Sequence, residues 1–377
     1  MNLRRTFAMA RKEILHIIRD PRSLIAAFSQ PLLMLLIFGY ALSLDVDRIP
    51  TIVYDLDQTP LSDALIKSFR GSRYFNVVEE AKGYHPIDNA IDTRRALLAV
   101  VVPTDYSRNL LEGREAAVQL LVDGSDSNTA AIAQGYAEGL ILTFAQQTRE
   151  NAQSMRTGSV IHIPVEARVR VWYNTDLVSR DFIVPGLIGV IIMIIASLLT
   201  SLTVAREWEN GTMEQLLSTP VRPVEIAMGK LAAYFLLGLA DMGVALAVAI
   251  FVFHVPLKGS PALLLVSSCI FIFGALGWGI FISASQRNQL AAYQLGTLTS
   301  FLPAFLLSGF IYSIDNMPAV IRAIALFVPA RYFIEIIKGV FLKGTGLRIL
   351  WFNLVLLTAY AALVFYWATS KLKKKVA

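Results

Sequence analysis

The 377-residue chain is 55% hydrophobic but only 16% charged, with a formal net charge of +6, whereas a soluble globular chain carries about 25% charged residues. The basic excess is not a nucleic-acid surface. Residues 45–180 hold 14 Lys/Arg against 18 Asp/Glu, a net of −4, and the rest of the chain carries +10 on the flanks of apolar runs, as positive-inside loops do. The single cysteine, Cys269, excludes an internal disulfide.

Residues 1–22 open the chain with a basic amphipathic helix. At 100° per residue Leu3, Phe7, Ala10, Ile14, Ile17 and Ile18 fall within about 60° of one line, with Arg5, Lys12, His16 and Arg19 near the opposite direction. Pro21 permits a change of direction. Residues 23–44 contain no Asp, Glu, Lys or Arg, and about 20 apolar residues cross a bilayer core. Ala41-x-Ser43 resembles a signal-peptidase site, but the run is longer than a leader core and 22 residues precede it, which favours an uncleaved anchor.

Residues 45–180 alternate strand-like and helix-like pieces. Strands are predicted at "TIVYDL" (51–56), "LLAVVVP" (97–103), "AAVQLLVD" (116–123) and "EARVRVWY" (166–173), all rich in β-branched or aromatic residues. Helices are predicted at 61–71, 86–96, 107–113 and 126–156. The four histidines are scattered, which argues against a metal cluster, and Asp55 and Asp57 after the first strand read as helix caps rather than cation ligands.

Five more charge-poor runs follow within residues 181–370, the third of the six containing only Asp241. The expected fold is an α-helical integral membrane protein with six transmembrane helices and an inserted extracytoplasmic α/β domain. An even number of spans puts the basic N-terminus and the basic tail, 371–377, together on the cytoplasmic side. Small residues recur every four positions at Ser197, Ser201 and Ala205 and at Ala275, Gly279 and Ser283, the spacing that lets helices approach closely in lipid. Residues 314–347 contain two short apolar pieces broken by Pro318, Pro329 and Gly339; neither can span, and they fit an external hairpin. Asp241 is costly inside a span. It pairs with a neighbouring helix, faces water, or belongs to a transport path.

The loop 207–220 crowds charge, Gly and Pro between two apolar runs. Met213, Leu216 and Leu217 share one helical face. Gly211 and Thr212 suit a helix start and Pro220 a stop. Glu207, Glu209 and Glu214 give the loop an acidity that anionic lipid would repel and a basic partner would attract. No phosphate-cradling G-x-x-x-x-G-K-[ST], G-x-S-x-G, H-E-x-x-H or C-x-x-C motif occurs, so the loop reads as a docking surface for a separate subunit.

At "REWENGTMEQLLSTP" (206–220) the chain resembles permease subunits of ABC-2 type exporters. "RDPRSL" (19–24), "DGSDSNTA" (123–130), "GYAEG" (135–139), "LSGFIYSIDNMP" (307–318) and "PARYFIEIIKGVFLKG" (329–344) extend the resemblance over the whole chain. It is narrower still to bacterial drug-exporter permeases with a large external domain. The resemblance implies a non-enzymatic subunit of the bacterial inner membrane, with both termini cytoplasmic. It implies a second permease copy or a sister permease beside it, and separate ABC ATPases beneath that carry ATP and magnesium. It also implies a periplasmic membrane fusion protein and an outer-membrane channel as partners, besides the lipid bilayer. No cofactor and no nucleic acid is expected on this chain. The cargo is expected to be a drug or another amphiphile, the alternatives being a lipid or polymer exporter or a membrane-anchored sensor.

Overall fold

A computed structural model describes residues 2–41, 48–112, 114–157 and 179–372. The strand expected at 166–173 and the lysines at 373–375 lie outside the described residues. The chain forms two compact units, Leu44–Arg170 and, separately, Met1–Ser43 with Val171–Ala377.

The first unit is a layered α/β module. Its sheet has the order β2-β1-β3-β4, built from β1 (Ile49–Asp55), β2 (Phe75–Glu80), β3 (Leu98–Val102) and β4 (Gln119–Val122). β1 runs parallel to β2 and β3, and β4 is antiparallel to β3. Period-two alternation sends Leu98, Val100 and Val102 to one core with α3 (Pro60–Gly71), α5 (Tyr106–Glu112) and α6 (Ser127–Thr157). Ala99 and Val101 face the other core with α4 (Tyr84–Asp92). α4 stops short of the expected residue 96 because Arg94 adopts a left-handed backbone, φ 56°. Asp55 and Asp57 are occupied as caps. Asp55 accepts from the backbone of Asp57 and Gln58 and from Ser62 Oγ, and Asp57 accepts from Thr59 Oγ1 and from the backbone N–H of Ser107.

The second unit is a helical bundle. α1 (Leu3–Arg19) and α2 (Pro21–Ala41) precede the α/β module in the chain. α7 (Ser179–Glu209), α8 (Thr212–Ser218), α9 (Pro223–Phe251), α10 (Pro261–Gln286), α11 (Gln289–Leu306), α12 (Ala319–Ala325), α13 (Pro329–Lys338) and α14 (Leu347–Lys371) follow it. Among the described residues α7, α9, α10 and α14 are long and apolar enough to cross a membrane. α2 contributes a shorter apolar stretch, Ala27–Ala41, and α11 has 18 residues with Gln289, Gln294 and several hydroxyls.

α7 is the hub. Every residue from Ile183 to Ser197 is buried, as expected for a helix that is apolar all round, and α2, α9, α10, α11 and α13 all pack on it. The small-residue stripes form its closest contact. A Cβ on Gly279 would lie 2.2 Å from the carbonyl oxygen of Ser197, Thr200 Oγ1 donates to Leu276 O at 2.8 Å, and Ser283 Oγ accepts from the backbone N–H groups of Val204 and Ala205 at 3.0 and 2.9 Å.

The segment after α11 contains two short helices, α12 and α13, of 7 and 10 residues. Gly339 does not break α13 as expected: a π-helical turn carries the chain on to Lys343 and ends at Gly344, φ 64°. α1 forms as expected, but its apolar surface is divided. Met9, Ala10 and Glu13 are buried, and Met9 and Ala10 lie against Gly229 of α9, while Leu3, Phe7 and Ile18 remain exposed.

Candidate functional site

The end of α7 and the start of α9 enclose the loop that the sequence marks as a docking surface. Gly211, φ 69°, turns the chain between α7 and α8, a conformation L side chains adopt at a cost. It caps α8 without a side-chain bond. Thr212 does not accept the expected capping hydrogen bond; its Oγ1 donates to the carbonyl of Glu207 at 3.3 Å. α8 ends at Ser218, one residue before the Thr219 cap, and the carbonyl of Pro220 accepts a hydrogen bond from Arg5 of α1.

The apolar face of α8 points inward. Met213 is 1% exposed and belongs to the bundle core, and Leu216 and Leu217 pack half-buried against it. An apolar i, i+3, i+4 stripe seeks the nearest apolar surface, and the end of the bundle supplies one. These three residues therefore anchor α8 to its own chain, and the outward face consists of Glu214, Gln215 and Ser218.

Two of the three acids are also engaged within the chain. Glu209 accepts from the backbone N–H of Gln289 at 2.8 Å and from its side-chain amide at 2.5 Å, tying α7 to the start of α11. Arg287, just before α11, stacks over Trp208 at 4.4 Å. Glu207 enters a buried charge network. Lys230 Nζ, 1% exposed, lies 2.9 Å from Glu13 Oε1 and 3.1 Å from Glu207 Oε1. Lys12 Nζ lies 2.6 Å from Glu207 Oε1 and 3.6 Å from Glu13 Oε1. Two lysines and two glutamates from α1, α7 and α9 thus alternate around one small volume and cancel in charge.

The field within this quartet is measurable in principle. Burial alone would raise the Glu13 carboxyl, but Lys230 and then Lys12 outweigh it and hold the carboxyl below its ordinary value. Burial alone would lower the Lys12 ammonium, and Glu207 with Glu13 reverses that. Removing one member of a buried pair costs about 3–5 kcal/mol, because the other charge is left uncompensated.

Glu225 extends the fastening of α1. It accepts from the backbone N–H of Asn2 at 2.6 Å and of Arg222 at 3.0 Å. A cavity of about 470 Å³ borders the quartet, lined by Glu13, Arg206, Glu207 and Lys230 together with Thr212 and Gln215 of α8. Sequence reasoning missed Lys12, Glu13 and Lys230. The available signal was a lone acid on an otherwise basic helix, at Glu13. Asp241 is 2% exposed in α9, and its Oδ1 has no hydrogen-bond partner; the expected pairing with a neighbouring helix is not made at that oxygen.

Long apolar helices around a buried hub, fastened at one end by an amphipathic helix and a short polar-faced one, define a multi-pass integral membrane protein. The sequence model of the ABC-2 family transporter protein matches residues 21–370. The probable multidrug ABC transporter permease YbhS of Escherichia coli K12 is 35% identical over all of this chain and 98% of its own length. The probable multidrug ABC transporter permease YbhR of the same strain is 32% identical over 93% of each chain. The inner membrane transport permease YhhJ of that strain is 27% identical over 95% of this chain and 96% of its own. The chain belongs to the ABC-2 transporter family.

Proposed function

We propose that this ABC-2 permease is the membrane subunit of an ATP-driven exporter in the bacterial inner membrane, expelling drugs or other amphiphiles. Separate ATPase subunits bind on the α8 side, where ATP and magnesium are held by those partners, and both termini lie in the cytoplasm. α2 and α11 complete six spans with α7, α9, α10 and α14. At 1.5 Å per residue they reach roughly 31 and 27 Å, and both pack on α7. A second permease copy or a sister permease completes the pore, and a membrane fusion protein with an outer-membrane channel continues the route.

One observation carries this reading. α8 is seven residues long and polar on its outward face; Met213 anchors it in the bundle core, and its Thr212 and Leu216 line the cavity beside which Glu13, Glu207 and Lys230 lock α1, α7 and α9 together. A push on α8 is therefore delivered to two helices of spanning length. Glu214 is the acid left for a basic partner surface. The relatives named as multidrug ABC permeases support the cargo class.

The test is Glu214→Lys with Ser218→Lys, expressed with the ATPase. The expected result is an intact permease that no longer copurifies with the ATPase and no longer raises its hydrolysis in response to candidate compounds. Undiminished copurification would overturn the docking assignment.

A further inference from the structure

A second lysine, half-buried, lies near the other end of α7, and its surroundings differ in kind. Lys338, in the last turn of α13, places Nζ 3.5 Å from the centroid of the Phe182 ring and 6.0 Å from that of Phe310. Its one hydrogen bond is to the carbonyl of Gly309, at 3.5 Å. Gly186 leaves room for the lysine stem: a Cβ there would come within 3.2 Å of Lys338 Cε and 2.5 Å of Phe310 Cδ2.

No carboxylate pairs with Lys338 among the described residues. Seven residues earlier α13 carries Arg331, about 10 Å along the axis and within about 20° of the same line. Its Nη1 is buried and has no hydrogen-bond partner. A cation removed from water is costly unless it is paired and fully hydrogen-bonded. Among the described residues neither cation has a carboxylate within 4 Å, although Glu335, exposed, lies between them on α13. An aromatic ring face attracts an ammonium, but it supplies none of the three strong acceptors the group can engage. Phe182 is 42% exposed, so its ring covers Lys338 from a face that is open beyond it.

We propose that Lys338 is an anion-binding residue of the permease, screened by the Phe182 ring and receiving the phosphate or carboxylate head of an anionic amphiphile. The ring moves aside, the oxyanion takes the ammonium protons in charge-assisted hydrogen bonds, and Arg331 extends the positive line along α13. The apolar body of the ligand lies against the aromatic side chains. A lipid headgroup and a free anion present the same chemistry, and the experiment separates them. The site is a property of the permease itself and is independent of ATPase docking.

The experiment uses the full chain in phosphatidylcholine nanodiscs without any ATPase, and reads acetylation of Lys338 by an amine-directed reagent through peptide mass spectrometry. Dodecyl phosphate should slow labelling of Lys338 about tenfold, the equivalent of one charge-assisted hydrogen bond, and leave Lys258 unaffected. Dodecyltrimethylammonium should give no protection. Phe182→Ala should speed labelling in the absence of ligand. Protection by phosphatidylglycerol discs alone identifies lipid as the source, and protection by inorganic phosphate identifies a free anion; either outcome supports the site. Lys338→Arg should retain radiolabelled dodecyl phosphate and Lys338→Met should lose it. Equal protection by the cationic and anionic amphiphiles, or no protection by any anion, would overturn the proposal. The protection measurements are made on the native chain and need no variant to fold.

Discussion

Two lysines of the bundle, Lys230 buried and Lys338 half-buried, lie near opposite ends of α7 and are treated in opposite ways. Lys230 has two carboxylates within 3.1 Å; Lys338 has an aromatic ring and one carbonyl. Glu207 and Phe182, the α7 residues that meet them, are 25 positions apart, roughly 38 Å of helix. The comparison teaches that burial of a charge does not by itself define a role. A saturated cation fastens helices to each other, and an unsaturated one keeps bonding capacity for something else.

The largest effect should come from breaking the saturated end. Lys230→Met leaves Glu13 and Glu207 facing each other with only Lys12 between them, and should lower stability by about 3–5 kcal/mol, read as a fall in the thermal unfolding midpoint of the purified chain. Gly279→Ala probes the α7–α10 crossing without touching either lysine. It drives a methyl into the Ser197 carbonyl and should cost about 1–3 kcal/mol in the same measurement.

Acid should act on one end of the comparison. The Glu13 carboxyl is held below its ordinary value of 4.5. Its contribution is complete above that value and is lost as pH falls through the lower native one. The midpoint difference between the native chain and Glu13→Gln should therefore be constant near neutrality and shrink below about pH 4.5. A difference unchanged down to pH 3 would mean that folding does not hold this carboxyl below its ordinary value.

The smallest effect should come from the unsaturated end. Lys338→Met removes an uncompensated cation and replaces it with an apolar chain of similar reach, so the midpoint should hold steady or rise slightly. A loss as large as that of Lys230→Met would show that Lys338 is a fastening residue after all and erase the contrast.

The sequence made some of this legible and concealed the rest for physical reasons. Charge-free runs located α7, α9, α10 and α14, because a helix in lipid must be apolar over its whole length. β1, β3 and β4 stood out as β-branched runs. β2 did not, because it is an edge strand in which only Phe75 is buried and its end, Glu79–Glu80, is exposed. The α8 loop was visible as a compact break in apolar sequence, and its helix forms where Gly211 and Pro220 bracket it. The roles of its side chains were not visible. Met213 reads equally well as a docking residue or an anchor until the nearest apolar surface is known. Glu207 reads as a free surface acid because its partners, Lys12 and Lys230, are 195 and 23 positions away. A pair such as Glu13–Lys230, 217 residues apart, leaves no local pattern at all.

That separation has a consequence in time. Ribosomes add roughly 5–20 residues per second, so about 10–40 s pass between the synthesis of Glu13 and that of the lysine that neutralises it. Through that interval α1 exists without its partner helix. The side of α1 that stays exposed in the finished fold, with Leu3, Phe7 and Ile18, gives it a place to wait on the lipid surface, its lone acid still in water. The N-terminal helix is thus among the first parts made but is fastened only once α9 follows. The quartet closes only after α9 has been inserted, so the locked state of this end of the bundle records that insertion has reached α9.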